Sequence, residues 1–240
     1  MTAQQIAAHP EPARRAAAWA VHAYTASGAV AAFLGTLCVF GGRYREAFLL
    51  MVAATVVDAT DGVLARAADV KAFTPDFDGA RLDDIVDYLT FVFLPMLVVY
   101  QSGLVAGPIG LLTVSVVLLS SGFGFSSTDA KTDDHFFTGF PSYWNIVSIY
   151  LYAAQMSRSV NIAVLLVLSA LVFVRLGYVY PTRTPVLRGP TIALGLVWTV
   201  MMIAIILRLP DVPRALLIGS LFFPVYYTVL SLVLHARRSR

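Results

Sequence analysis

Asp58, Asp61, Asp83 and Asp87 are the residues whose type and spacing promise chemistry. Asp58, Asp61, Gly62 and Ala65 recur at three and four, so on a helix they share one face. Gly79, Asp83 and Asp87 recur at four on a second helical stretch. Two antiparallel helices joined by a loop bring those faces together. Four like charges in one place do not all stay ionised without cations: either several are protonated or divalent metal sits among them. Hard oxygen ligands suit Mg2+, Mn2+ or Ca2+, and two divalent ions balance four carboxylates. Such a pair, about 3.5–4 Å apart, polarises phosphoryl oxygens and steadies a leaving phosphate. Gly62 and Gly79 leave room for a ligand or backbone to come close. Ala65 is small on the same face, and Arg66 offers a bidentate fork to a phosphate.

The elements that must position these residues are membrane helices. The 240 residues are 58% hydrophobic and only 13% charged, with a mean hydropathy of +0.76, too little polar surface for a soluble domain of this size. Apolar runs of helical length exclude a barrel. The chain reads as an all-α polytopic protein, one domain over 1–240, with spans at about 17–40, 47–68, 80–101, 105–125, 142–157, 160–179, 190–208 and 213–235. The segment 1–16 precedes them as a cytoplasmic, interfacial N-terminus. Of the seventeen Lys and Arg, only Arg43, Arg45, Arg158, Arg208 and Arg214 fall outside if both termini are cytoplasmic, which the positive-inside rule favours.

Eight of the fourteen acidic residues lie between Val56 and Tyr88. Asp58 and Asp61 sit well inside an apolar span, where ionisable groups are rare and usually functional, whereas Asp69, Asp76, Asp78 and Asp84 read as solvating helix ends. A cation transporter would place charges in both halves, but beyond Asp134 only Asp211 is acidic. No basic stripe or aromatic platform lies in a soluble region, which argues against nucleic acid; the +3 net charge suits anionic lipid heads. Cys38, in an apolar run, reads as packing.

In order, these residues spell D-x-x-D-G-x-x-A-R followed by G-x-x-x-D-x-x-x-D, which resembles the signature of the CDP-alcohol phosphatidyltransferases. The spacer from Arg66 to Gly79 is longer than the family's usual one. That resembles the bacterial phosphatidylcholine synthase branch, as do VHAYTASG at 21–28, GFPSYWNIVSIYLY at 139–152 and YVYPTRTPVLR at 178–188. The resemblance covers most of the chain. It implies a bundle of about eight spans and transfer of the phosphatidyl group from CDP-diacylglycerol to choline with release of CMP; the rival within the family is another small alcohol such as serine or glycerol-phosphate. It implies two divalent ions, Mn2+ or Mg2+, on Asp58, Asp61, Asp83 and Asp87. Asp87 is then also the general base on the acceptor hydroxyl. It implies a CDP-diacylglycerol site at Gly62, Ala65, Arg66 and Gly79, with which Thr25 of the first span is counted, a homodimer, and a place in the bacterial inner membrane.

Choline's quaternary ammonium donates no hydrogen bond, so aromatic faces and a carboxylate are the usual way to hold it. Tyr24, Tyr88, Phe136, Phe137, Phe140, Tyr143 and Trp144 are the candidates near the cytoplasmic side. Tyr88 and Trp144 are the favoured pair, with Asn145 as a polar contact. His22 and Thr25 on the first span are either nucleotide-side contacts or interhelical bonds. The loop at 127–141 offers Lys131 but no arginine cluster for a phosphorylated acceptor, and His135 reads as a solvated loop residue.

Overall fold

A computed structural model describes residues 11–130, 132, 136–181 and 184–238. The expectations for 1–10, Lys131, His135 and Arg183 lie outside the described residues.

The first helix, α1 (Glu11–Phe40), runs unbroken from the expected interfacial segment into the first span. Thirty residues rise about 45 Å, more than the hydrocarbon core requires, so Glu11, Arg14 and Arg15 extend beyond the apolar stretch. Its buried residues Ala18, His22, Thr25, Gly28, Ala32, Gly35 and Cys38 follow at intervals of three and four. That stripe of mostly small side chains lets other helices approach closely, as membrane helix interfaces require. The partners are α2 (Tyr44–Ala67) and the rod that contains Asp83 and Asp87.

A short turn, α3 (Val70–Phe73), follows α2, and then comes that rod: α4 (Gly79–Asp87), a π-helical turn over Tyr88–Phe93, and α5 (Leu94–Gln101). Pro95 accounts for the wide turn, because it lacks the N–H that would bond the carbonyl four residues back and its ring crowds that carbonyl. The Leu94 amide bonds instead to Leu89, five residues back. A single span over about 80–101 was the expectation here.

The remaining elements are α6 (Gly107–Ser126), β1 (Phe136–Thr138), α7 (Trp144–Ala154), α8 (Arg158–Val172), β2 (Gly177–Val179), α9 (Arg188–Leu207), α10 (Arg214–Ser220) and α11 (Phe222–Arg238). Among the described residues, five helices are long and apolar enough to cross a membrane: α1, α2, α6, α9 and the run Arg214–Arg238. The α4–α5 rod and α8 lie where two further spans were expected. So does α7, but its eleven residues rise only about 16 Å, half a hydrocarbon core. The expected sixth span ends at Val172 rather than 179, because the chain there turns into β2.

The small β1–β2 ladder is antiparallel, with Phe136 opposite Val179, Phe137 opposite Tyr178 and Thr138 opposite Gly177. Gly139 follows at φ +79°, and a Cβ there would lie 2.2 Å from the Val172 carbonyl oxygen. Only glycine passes at that conformation and distance. Phe140 N–H then donates to the Leu171 carbonyl at 3.0 Å and Gly139 N–H to that of Leu176 at 2.8 Å, fixing where α7 begins.

Apolar packing is split. One cluster joins Val39, Phe48, Met51, Leu94, Val98, Ile205 and Ile206; another joins Val92, Met96, Val99, Val117, Trp144 and Leu165. Cys38 is buried in the first and is not in a disulfide.

Candidate active site

Three of the four signature aspartates converge. Asp58 from α2 and Asp83 and Asp87 from α4 each offer a carboxylate oxygen, and these oxygens all lie within 4.8 Å of one another. At an effective dielectric of about 20, two unit charges that far apart repel by roughly 3–4 kcal/mol. Three ionised carboxylates carry three such repulsions, so a cation or protonation must relieve them. The donor set is entirely hard oxygen and comes from two rigid helices, which fits a divalent ion of the Mg2+, Mn2+ or Ca2+ class.

Asp61 is treated differently. It is 8% exposed, and its Oδ2 accepts a 2.9 Å hydrogen bond from the Thr25 hydroxyl of α1. Thr25 thus makes an interhelical bond that orients Asp61. His22, three residues earlier on α1, is also buried. Its Nε2 lies 2.9 Å from the Thr74 hydroxyl, and its ring packs against Phe77 at 4.5 Å. Both contacts tie the 68–78 connection down onto α1.

That connection delivers α4 with its cap in place: the Asp78 carboxylate accepts the Arg81 N–H at 3.0 Å. An aspartate three residues ahead of that amide is a standard helix start, so Asp78 is more than a solvated end. Gly79 follows directly. A Cβ on it would lie 2.8 Å from His22 Cε1 and 3.2 Å from its Nδ1, so glycine is what lets α4 sit against α1 here. Over Gly62, by contrast, a Cβ would meet only the Arg66 guanidinium, at 3.4 Å. Arg66 is exposed, and Gly62 and Ala65 are half-buried. These three therefore border open space beside the acids.

The residues expected to meet choline make structural contacts. Trp144 is 0% exposed and donates its indole N–H to the Ser121 hydroxyl at 2.7 Å. Phe140 packs edge-on against it at 5.1 Å. The Trp144 ring is wholly enclosed by protein. Asn145 donates to the Thr55 hydroxyl of α2 at 3.2 Å and accepts the Ile146 N–H at 2.9 Å. Tyr88 donates to the Leu118 carbonyl of α6 at 2.9 Å and sets its ring edge-on to Phe125. All three fasten helices around the acids.

What sequence reasoning placed less exactly is Tyr143, at the start of α7. Burial pushes its phenol well above the usual range. The Tyr227 hydroxyl beside it acts in the opposite sense, and the charges of Asp58 and Asp87 and the phenol of Tyr180 push it further up. Tyr143 lies two residues ahead of Asn145, whose amide bonds Thr55, three residues before Asp58 on α2.

No family model matches the chain. A phosphatidylcholine synthase of Pseudomonas aeruginosa is 38% identical over 219 residues, covering 91% of this chain and 91% of that protein. Phosphatidylcholine synthases of Rhizobium meliloti and Rhizobium johnstonii are each 33% identical and cover 90% of both chains.

Proposed function

This chain belongs to the phosphatidylcholine synthase branch of the CDP-alcohol phosphatidyltransferase family, and from that we propose that it transfers the phosphatidyl group of CDP-diacylglycerol to choline and releases CMP. The observation that carries the reading is the meeting of Asp58, Asp83 and Asp87 oxygens, from α2 and α4, within 4.8 Å of one another. A carboxylate cluster at a membrane boundary suits a substrate whose acyl chains stay in lipid while its nucleotide leaves to water.

In this reading Asp58, Asp61, Asp83 and Asp87 hold two divalent ions, Mg2+ or Mn2+. When bound, such ions supply Lewis-acid polarisation of the diphosphate and neutralise charge on the departing CMP. The chain's own residues do the rest. Arg66 reaches the diphosphate, and Gly62, Ala65 and Gly79 leave the cytidine side open. Thr25 holds the Asp61 carboxylate to one orientation. Asp87 takes the proton from the choline hydroxyl. That oxygen forms a new bond to the phosphorus bearing diacylglycerol as the bond to the CMP oxygen breaks. Positioning and charge complementarity supply most of the acceleration in such transfers.

The working environment in this reading is a bacterial inner membrane, with both termini and the acids on the cytoplasmic side, and a homodimer as the assembled form. Purified protein in detergent–lipid micelles with CDP-diacylglycerol, Mg2+ or Mn2+ and one acceptor at a time tests the activity. CMP release is expected with choline. Release with serine or glycerol-phosphate but not with choline would overturn the acceptor assignment.

A further inference from the structure

A dense group of aromatic rings lies beside the acids, and the strand pairing explains its composition. Directly opposed residues in an antiparallel pair share a face, as do residues two apart on one strand. Phe137 and Tyr178 are opposed, and Tyr180 follows two residues later, so all three turn to one side of the β1–β2 ladder. Phe136 and Val179 turn to the other, into Leu230 and Leu234, with the Arg238 guanidinium 4.2 Å above the Phe136 ring.

On the first side, Phe137 and Tyr180 stack at 4.6 Å and 27°. Tyr143 stands edge-on to Phe137 at 84° and 6.5 Å. From α11, Tyr227, which also packs against the Phe136 and Val179 cluster at the ladder's edge, meets Tyr143 at 61° and 6.2 Å and stacks on Tyr178 at 6.3 Å. Its hydroxyl is anchored to the Val179 carbonyl at 2.9 Å. Tyr143 therefore stands steeply between two parallel pairs of rings. Phe137, Tyr143, Tyr180 and Tyr227 each keep part of their surface accessible, unlike Trp144.

The position of this group relative to the acids is fixed by α7. Asn145 bonds Thr55 at 3.2 Å, and Thr55 lies three residues before Asp58 on the same face of α2. Tyr143, two residues ahead of Asn145, is thereby held toward the part of α2 that carries Asp58. Ring faces are electron-rich and attract a cation that has no N–H to donate. The Arg238 guanidinium of α11, over the Phe136 ring, is on the opposite face of the ladder.

We propose that Phe137, Tyr143, Tyr180 and Tyr227 form the pocket for the quaternary ammonium end of the acceptor alcohol, with its hydroxyl, two carbons away, directed to Asp87. This rests on the choline reading above and specifies which residues select the acceptor.

The test uses the purified full chain with CDP-diacylglycerol and measures choline KM, CDP-diacylglycerol KM and kcat for Tyr180→Leu and Phe137→Leu, made separately so that one misfolded variant does not decide the matter. Each is expected to raise choline KM about tenfold, the size of a good cation–π contact, while CDP-diacylglycerol KM is unmoved. Tyr180→Phe, which keeps the ring, should restore most of the affinity. The neutral isostere dimethylbutanol, with a tert-butyl group in place of trimethylammonium, separates charge from shape. The preference for choline over this alcohol should fall by the same factor in the leucine variants. Choline KM within twofold of the unsubstituted value in both variants overturns the assignment, as does an equal loss for choline and its isostere. If the unsubstituted protein shows no choline-dependent CMP release, the acceptor reading fails and this assignment fails with it.

Discussion

Replacing Thr25 by Val removes a hydroxyl, keeps the side-chain shape, and leaves Asp61 without its donor on α1. The bond is 2.9 Å long between residues that are 7% and 8% exposed, so water does not readily replace it. Hydrogen bonds to charged groups contribute about 1.5–3 kcal/mol, which converts to roughly ten- to a hundredfold in an equilibrium constant. Outer groups that orient a metal ligand have effects of about that size on metal affinity. With Asp61 as a metal ligand, the expected outcome is a ten- to hundredfold rise in the Mn2+ concentration that half-saturates CMP release, and less change in kcat at saturating metal. Thr25→Ser keeps the donor and should restore most of the affinity. A Thr25→Val protein with an unchanged Mn2+ half-saturation would show that Asp61 is not aimed through Thr25, or does not meet the metal.

Asp87→Asn is expected to abolish turnover while leaving the protein folded and able to bind CDP-diacylglycerol, read by CMP release and lipid-substrate binding; a near-normal rate would remove Asp87 from its role as base. Chelation should stop the reaction, and added Mg2+ or Mn2+ should restart it. Gly79→Ala pushes a methyl to 2.8 Å from a His22 ring already held by Thr74 and Phe77, and overpacking of this kind costs about 1–3 kcal/mol. A lowered melting temperature is expected, partly recovered when His22→Ala is added. Trp144→Phe loses the 2.7 Å bond to Ser121 and some ring volume, for about 1–3 kcal/mol of stability. Choline KM should not change, and a tenfold rise would return Trp144 to the acceptor pocket.

The acids were legible because helical periodicity is local: the spacing of Asp58 from Asp61 and of Asp83 from Asp87 predicts their faces without knowledge of the partner. That Asp58, Asp83 and Asp87 meet, while Asp61 turns to Thr25, depends on how α1 and α2 cross, and no local spacing encodes it. Trp144 shows the limit differently. A tryptophan near a membrane boundary reads equally as interfacial or buried, and Ser121, the partner that decides it, lies on another helix. The aromatic group beside the acids depends on two three-residue strands that pair across about forty positions, too short for any period to announce them. Pro95 was a visible signal for the wide turn in the third rod, and a reading based on hydropathy alone passes over it.

That wide turn lets one rod serve two unlike surroundings. In an unbroken α-helix Leu94, seven residues after Asp87, would lie almost directly above it, and the carboxylates would share a side with the residues packed on Phe48 and Ile205. A π turn takes in one additional residue, which shifts the phase between the two ends by roughly 100°. The acids at the mouth can then look toward Asp58 while Leu94 and Val98 look into the apolar interior. Deleting a single residue between Tyr88 and Phe93 would undo that offset and swing one of the two sets out of place. The rod is thus geared, and its gearing ratio is a backbone defect.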